Sequence, residues 1–149
     1  MTRLSSAFGS VDNLRIKSFE LAGHKFKVRV PLTKEMDEIN ERIKNIDAKE
    51  AKKRYEKMVA GFTKEVEGVV ITDDDVIVEG RSTKELVETV MMMENRVVEF
   101  IKLLVAENGS LEDITYEEIE AEWPMAVQLE ILAKISDAIQ PGYKEERKN

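Results

Sequence analysis

Residues 82–104 read STKELVETVMMMENRVVEFIKLL, and within them Leu86, Val90, Met93, Val97, Ile101 and Leu104 recur at intervals of four and three. That spacing keeps all six on one side of a 3.6-residue helix. Ser82 and Glu85 frame the start as a capping box, in which hydroxyl and carboxylate each satisfy an orphan amide of the other residue. Asn108-Gly109 supplies the stop, since glycine accepts the left-handed conformation that closes helices. Three successive methionines, Met91, Met92 and Met93, cover most of a helix circumference and cannot all face one core. Met93 falls on the stripe with Val90 and Val97, so Met91 or Met92 is expected near the surface. Methionine there serves either as a gap filler or as an adaptable surface for a partner or a second copy, and both readings stay open.

On the C-terminal side, Thr115-Tyr116-Glu117-Glu118 forms another capping box and opens a short helix. That helix must stop before Trp123-Pro124, because proline disfavours helical geometry in its predecessor. Pro124 starts a last helix with Val127, Ile131, Leu132, Ile135 and Ile139 as its apolar set, ended by Gln140-Pro141-Gly142. On the N-terminal side, Val69-Val70-Ile71 and Val76-Ile77-Val78, joined through Asp73-Asp74-Asp75, predict a second short hairpin within about residues 66–80.

Leu32, Met36, Ile39, Ile43 and Ile46 mark a further helix with Thr33 as its N-cap. Its phase slips at Asp47-Ala48, and Ala48, Ala51, Tyr55, Met58 and Phe62 then repeat the spacing as far as a closing Gly61. Either the helix bends there or two helices meet. Before it, Phe19, Leu21, Phe26, Val28 and Val30 alternate with charged residues from Ser18 to Pro31, a hairpin turning at Ala22-Gly23. Residues 1–17, with the small polar run SSAFGSVDN from Ser5 to Asn13, read as a flexible arm. The expectation is therefore an α+β, helix-dominated fold. It has an N-terminal β-hairpin, a second short hairpin, four to five helices and a single globular domain over 18–140, followed by a charged tail over 141–149.

Composition excludes several classes of function. Lys plus Arg number 23 against 30 for Asp plus Glu, a net charge of −7, which opposes binding to nucleic-acid phosphates. With no Cys and a single His, structural zinc, disulfide frameworks and thiol nucleophiles drop out. No apolar run approaches the roughly 20 residues of a membrane span, and the N-terminus lacks a signal-peptide core, so a cytoplasmic protein is expected. Asp73-Asp74-Asp75 lacks the alternating ligands, central Gly and final Glu of a calcium loop and reads as a solvated turn. His24 stands beside the first hairpin turn without a matched nucleophile. Glu117, Glu118, Glu120 and Glu122 sit where acidic side chains offset a helix dipole. There is no glycine-rich phosphate loop. No catalytic, cofactor or metal site is expected. Trp123 is expected to wedge between the short helix and the last one as a core residue, where its removal costs about 3–5 kcal/mol; the other reading places it, with Met91 and Met92, on a partner-binding or self-association surface.

The last third carries a resemblance. The short acidic helix Thr115-Tyr116-Glu117-Glu118-Ile119, the Glu122-Trp123-Pro124 break, the apolar helix from Met125 through Leu129, Leu132 and Ile135 to Ile139, and the closing Gln140-Pro141-Gly142-Tyr143 resemble the tail assembly chaperones of long-tailed (siphovirus) bacteriophages, the lambda G-protein-like family. The N-terminal hairpin, followed by Pro31 and a charged helix, is similar as well. The likeness is close in the last third and loose elsewhere, and its motifs are structural rather than chemical. It implies a non-enzymatic morphogenesis factor in the host cytoplasm that binds the long helical tape measure protein and tail tube protein and is absent from the finished virion. It also implies homo-oligomers, and a second, longer form made by programmed frameshifting. Arg147-Lys148-Asn149 can be encoded AGA-AAA-AAC, which contains the slippery heptamer A-AAA-AAC, and also reads as an ordinary charged tail. The competing expectation is a small acidic cytoplasmic adaptor or regulatory subunit that docks on one protein partner.

Overall fold

The computed structural model describes residues 3–9 and 12–140. The expected tail over 141–149, with the Arg147, Lys148 and Asn149 codons, lies outside the described residues. The fold is α+β and mainly helical, as expected, with six α-helices and two small antiparallel sheets among the described residues. Its elements divide into two compact units, one comprising Met1–Ile39 and Val97–Asn149, the other Asn40–Arg96. The expected single domain over 18–140 had no linker in its composition, and the unit boundaries account for this, since each falls inside a continuous helix.

The first unit begins with α1 (Arg3–Phe8) and a 3-10 helix (Asp12–Arg15), followed by β1 (Ile16–Leu21) and β2 (His24–Arg29). Within the segment expected to be a flexible arm, backbone hydrogen bonding thus organises Arg3–Phe8 and Asp12–Arg15, and the hairpin starts at Ile16 rather than Ser18. The hairpin is in register Phe19↔Phe26, and the two rings stack with centroids 5.4 Å apart. Its turn is the tight kind with positive φ at both central residues, Ala22 at 53° and Gly23 at 78°.

After the unit's part of α4 (Thr83–Ile101) the chain does not continue helically to Asn108, as the periodicity predicts. The helix stops at Ile101, because residues 103–105 instead pair with β2: the Arg29 amide donates to the Leu103 carbonyl at 2.9 Å and the Val105 amide to the Lys27 carbonyl at 2.8 Å. Leu104, which has helical phase in the sequence, stands opposite Val28 in an isolated antiparallel bridge. A strand edge that needed partners outweighed local periodicity.

Helices α5 (Tyr116–Glu122) and α6 (Met125–Ile139) follow, with Thr115 capping α5 as expected and Pro124 in the N-cap position of α6. Helix α6 lies against β1 and β2. Val28, Val97, Ile131 and Ile135 are all but inaccessible and form this unit's core. Gln128 joins them at 1% exposure, with its polar ends satisfied: the Tyr116 hydroxyl donates to its Oε1 at 2.8 Å, and its Nε2 donates to the Trp123 carbonyl at 2.9 Å. The unit's part of α2 (Thr33–Lys44) starts one residue earlier than the predicted cap, so Thr33 is helical and the Glu35 carboxylate reaches back to the Leu32 amide at 3.2 Å.

The second unit contains the remainder of α2, then α3 (Ala48–Val59), the sheet β3 (Val69–Ile71), β4 (Val76–Val78) and β5 (Arg81–Ser82), and the first part of α4. Two helices meet at Asp47, whose Oδ1 accepts from the amides of Lys49 at 2.9 Å and Glu50 at 3.4 Å as the N-cap of α3. Gly61 does not close α3. The C-cap is Ala60, in right-handed helical geometry. The Asn95 amide group donates to the Ile43 carbonyl at 3.1 Å at the C-terminus of α2, and Arg54 of α3 forms a two-pronged bond with Glu94 of α4, each contact 2.8 Å.

Strand β5, absent from the sequence reading, extends the hairpin to three strands in the order β3-β4-β5. It is held by Asp75, whose carboxylate accepts from the Val76 amide at 2.8 Å, the Lys84 amide at 3.2 Å and the Ser82 hydroxyl. Ser82 in turn accepts from the Glu85 amide, half of the expected capping box. None of the described helices is long and apolar enough to cross a membrane.

Candidate functional site

The α4 stripe is rotated from its predicted phase. Val87 at 3% and Met91 at 7% exposure face the core of the second unit, whereas Leu86, Val90 and Met93 are 46%, 43% and 39% exposed. Apolar residues on α4 span an arc wider than the core it serves, so periodicity could not tell which edge would be covered. The consequence corrects two expectations: Met93 is exposed where it was placed in the core, and Met91, a candidate for the surface, is buried. Met92 is half-buried. Beside Leu86 the apolar surface continues into a shallow groove of about 510 Å³ lined by Met58, Phe62 and Val78. Met58 and Phe62, which continue the helical spacing in the sequence, are both exposed, and α3 has no buried residue.

The larger concavity lies wholly in the first unit. It is a groove of about 670 Å³ whose floor and walls are Phe26 of β2, Ile101 and Leu104, Leu111, Ile119 of α5 and Trp123 just beyond it. Trp123 is therefore only half-buried and forms a wall, in place of the expected core wedge. Its backbone explains the placement. As C-cap of α5 it takes extended geometry at φ −118° and ψ 120°, its amide donates to the Ile119 carbonyl, and Gln128 holds its own carbonyl. Proline at 124 imposes that extended geometry on its predecessor and so turns the indole out of the helix line.

The lining of the groove includes charges of both signs. Lys25 and Lys27 come from β2, Glu107 follows the segment paired with β2, and Glu118 and Glu122 lie one helical turn apart on α5. His24 also lines the groove, its Nε2 lying 3.0 Å from the Glu107 Oε1 and its ring edge-on to Phe26 with centroids 4.7 Å apart. Of the residues singled out in the sequence, the structure brings Trp123, His24, Glu118 and Glu122 together here. It leaves Met91 and Met92 elsewhere on α4.

Such a site can take up apolar side chains, with charged residues within reach in its lining. Among the described residues no group of three or more His, Asp or Glu side chains is placed to hold a metal ion. Asp75, from the acidic cluster, is spent on strand and helix amides. Burial pulls its carboxyl upward, but the bonds from Ser82, Val76 and Lys84 and the Lys84 charge outweigh it, leaving its pKa below the usual value. The groove was hidden from the sequence because its walls come from residues about 80 to 100 positions apart, Phe26 against Leu104 and Trp123. No family model, no curated protein and no solved structure matches the chain.

Proposed function

We propose that the chain is a tail assembly chaperone of a long-tailed bacteriophage, a non-enzymatic protein that works in the host cytoplasm, binds tape measure and tail tube proteins during morphogenesis and leaves before the virion is complete. One observation supports this reading above the others. Ile119, Glu122 and Trp123, which belong to the segment that carries the resemblance, also line the apolar groove of the first unit. A groove of this kind accepts the apolar face of an amphipathic helix, and a long helical tape measure protein offers such faces repeatedly. The lysines and glutamates in its lining favour helices that carry both basic and acidic residues beside their apolar face.

The test is capture of the tape measure and tail tube proteins of the same phage on the tagged full chain, compared with a Trp123→Ala variant. Aromatic anchors in interface pockets carry a disproportionate share of binding energy, so the variant is expected to weaken tape measure capture by about tenfold or more while keeping its circular dichroism spectrum. Capture of neither tail protein by the wild-type chain overturns the reading and leaves the one-partner adaptor. Sequencing the codons for residues 147–149 adds an independent check: A-AAA-AAC followed by an open overlapping frame supports the longer, frameshifted form.

A further inference from the structure

We propose that the exposed edge of α4 is a self-association surface on which a second copy of this chain docks antiparallel, with the two-fold axis close to Val90. Leu86, Val90 and Met93 lie four and three residues apart along one side of the helix and each leaves about two fifths of its surface open. Apolar side chains aligned in this way on a regular helix form a ridge that a second helix can pack against. The arrangement around the ridge identifies the occupant. Val90 is the midpoint of the stripe, so a two-fold axis there sets Leu86 of each copy beside Met93 of the other.

Charge then selects the antiparallel second copy over an unrelated helix. Glu85 and Arg96, both exposed, sit eleven residues apart on the same flank of the stripe, about three turns of helix. Neither forms an ion pair with another described residue. Because they lie nearly equidistant from Val90, the same axis brings Glu85 of each copy against Arg96 of the other, twice per dimer. A parallel pairing would carry the two copies' Glu85–Arg96 flanks to opposite sides of the contact, where neither charge meets its complement. The surface is thus complementary to itself in one orientation, which is what a closed two-fold interface requires. The stripe is short, so the dimer is expected to be a reversible one, with a dissociation constant of about 1–100 μM.

This interface needs no tail protein. It gives a location to the self-association expected of the proposed chaperone but does not depend on that function. Sedimentation velocity on the full chain across that concentration range reads it directly. Glu85→Lys alone and Arg96→Glu alone each set like charges together and should raise the dissociation constant about tenfold or more, while the double variant restores it. Both residues are exposed, so folding is preserved in all three proteins. Val90→Glu should abolish the dimer. A chain that stays monomeric throughout, a dimer indifferent to Val90→Glu, or a double variant no better than the singles each overturns the proposal. Tape measure capture through the Trp123 groove is a separate readout, so loss of one leaves the other standing.

Discussion

Gln128 shows what a single residue can hide in a sequence. It interrupts the apolar set of α6 and would ordinarily be assigned to the solvent face, yet it is 1% exposed. Its two hydrogen bonds tie the start of α5, through Tyr116, to the end of α5, through the Trp123 carbonyl. Replacing it by leucine keeps the volume and removes both bonds, at an expected cost of about 1–3 kcal/mol. Urea unfolding should show a lower midpoint at an unchanged slope. The same substitution loosens the backbone that aims the Trp123 ring at the groove, so capture of an apolar partner should weaken alongside. Trp123 itself was legible as a residue that matters, but not as a wall. Pro124 announces the break in the helix, whereas the groove facing it is made by Phe26 and Leu104, which nothing nearby in sequence points to.

Elements whose determinants are local were legible in the sequence. Thr115 caps α5, Asp47 marks the junction of α2 and α3, and the alternation from Phe19 to Val28 sets the first hairpin. Where neighbours in space decided, local rules failed: α4 ends at Ile101 because β2 needed an edge partner, and β5 exists because Asp75 binds Ser82 and the Lys84 amide.

The hairpin turns also carry a measurable cost. Ala22 and Glu79 both hold positive φ, at 53° and 50°, in positions that favour glycine or asparagine. A left-handed conformation costs an ordinary residue roughly 1–2 kcal/mol. Ala22→Asn, which keeps Gly23 beside it, is therefore expected to stabilise the first unit by about 0.5–1 kcal/mol, read as a raised thermal midpoint. Ala22 is exposed and does not line the groove, so binding should be unchanged.

For the whole molecule, acidity is the governing variable. The chain carries −7 at neutral pH, and among the described residues each unit holds one carboxylate whose pKa is lowered. In the first unit burial pushes Glu35 upward, but the bond from the Leu32 amide and the charge and bond of Arg15, 2.7 Å away, outweigh it. Asp75 is the corresponding group of the second. A carboxylate depressed by folding stabilises the native state above its unfolded pKa, and that contribution is lost as pH falls through the folded value. Stability should accordingly be level near neutrality and decline below the ordinary values of 4.5 for Glu35 and 3.8 for Asp75. Denaturation followed at pH 7, 5, 4 and 3 checks this, and Glu35→Gln with Asp75→Asn should flatten the acid limb.

The pairing of β2 with residues 103–105 also sets a schedule for synthesis. Val28 and Leu104 are neighbours in space but separated by 76 positions, so the hairpin leaves the ribosome long before the segment that covers its edge. At translation rates of about 5–20 residues per second that interval lasts on the order of 4–15 s. During it the Phe19 and Phe26 rings and the open backbone groups of β2 face the crowded cell uncovered, while residues 40–96, which are contiguous, emerge and can fold. The charged side chains that alternate with the aromatics, Lys17, Glu20, Lys25 and Lys27, then act as gatekeepers that keep a nascent strand from pairing with its neighbours on the same polysome.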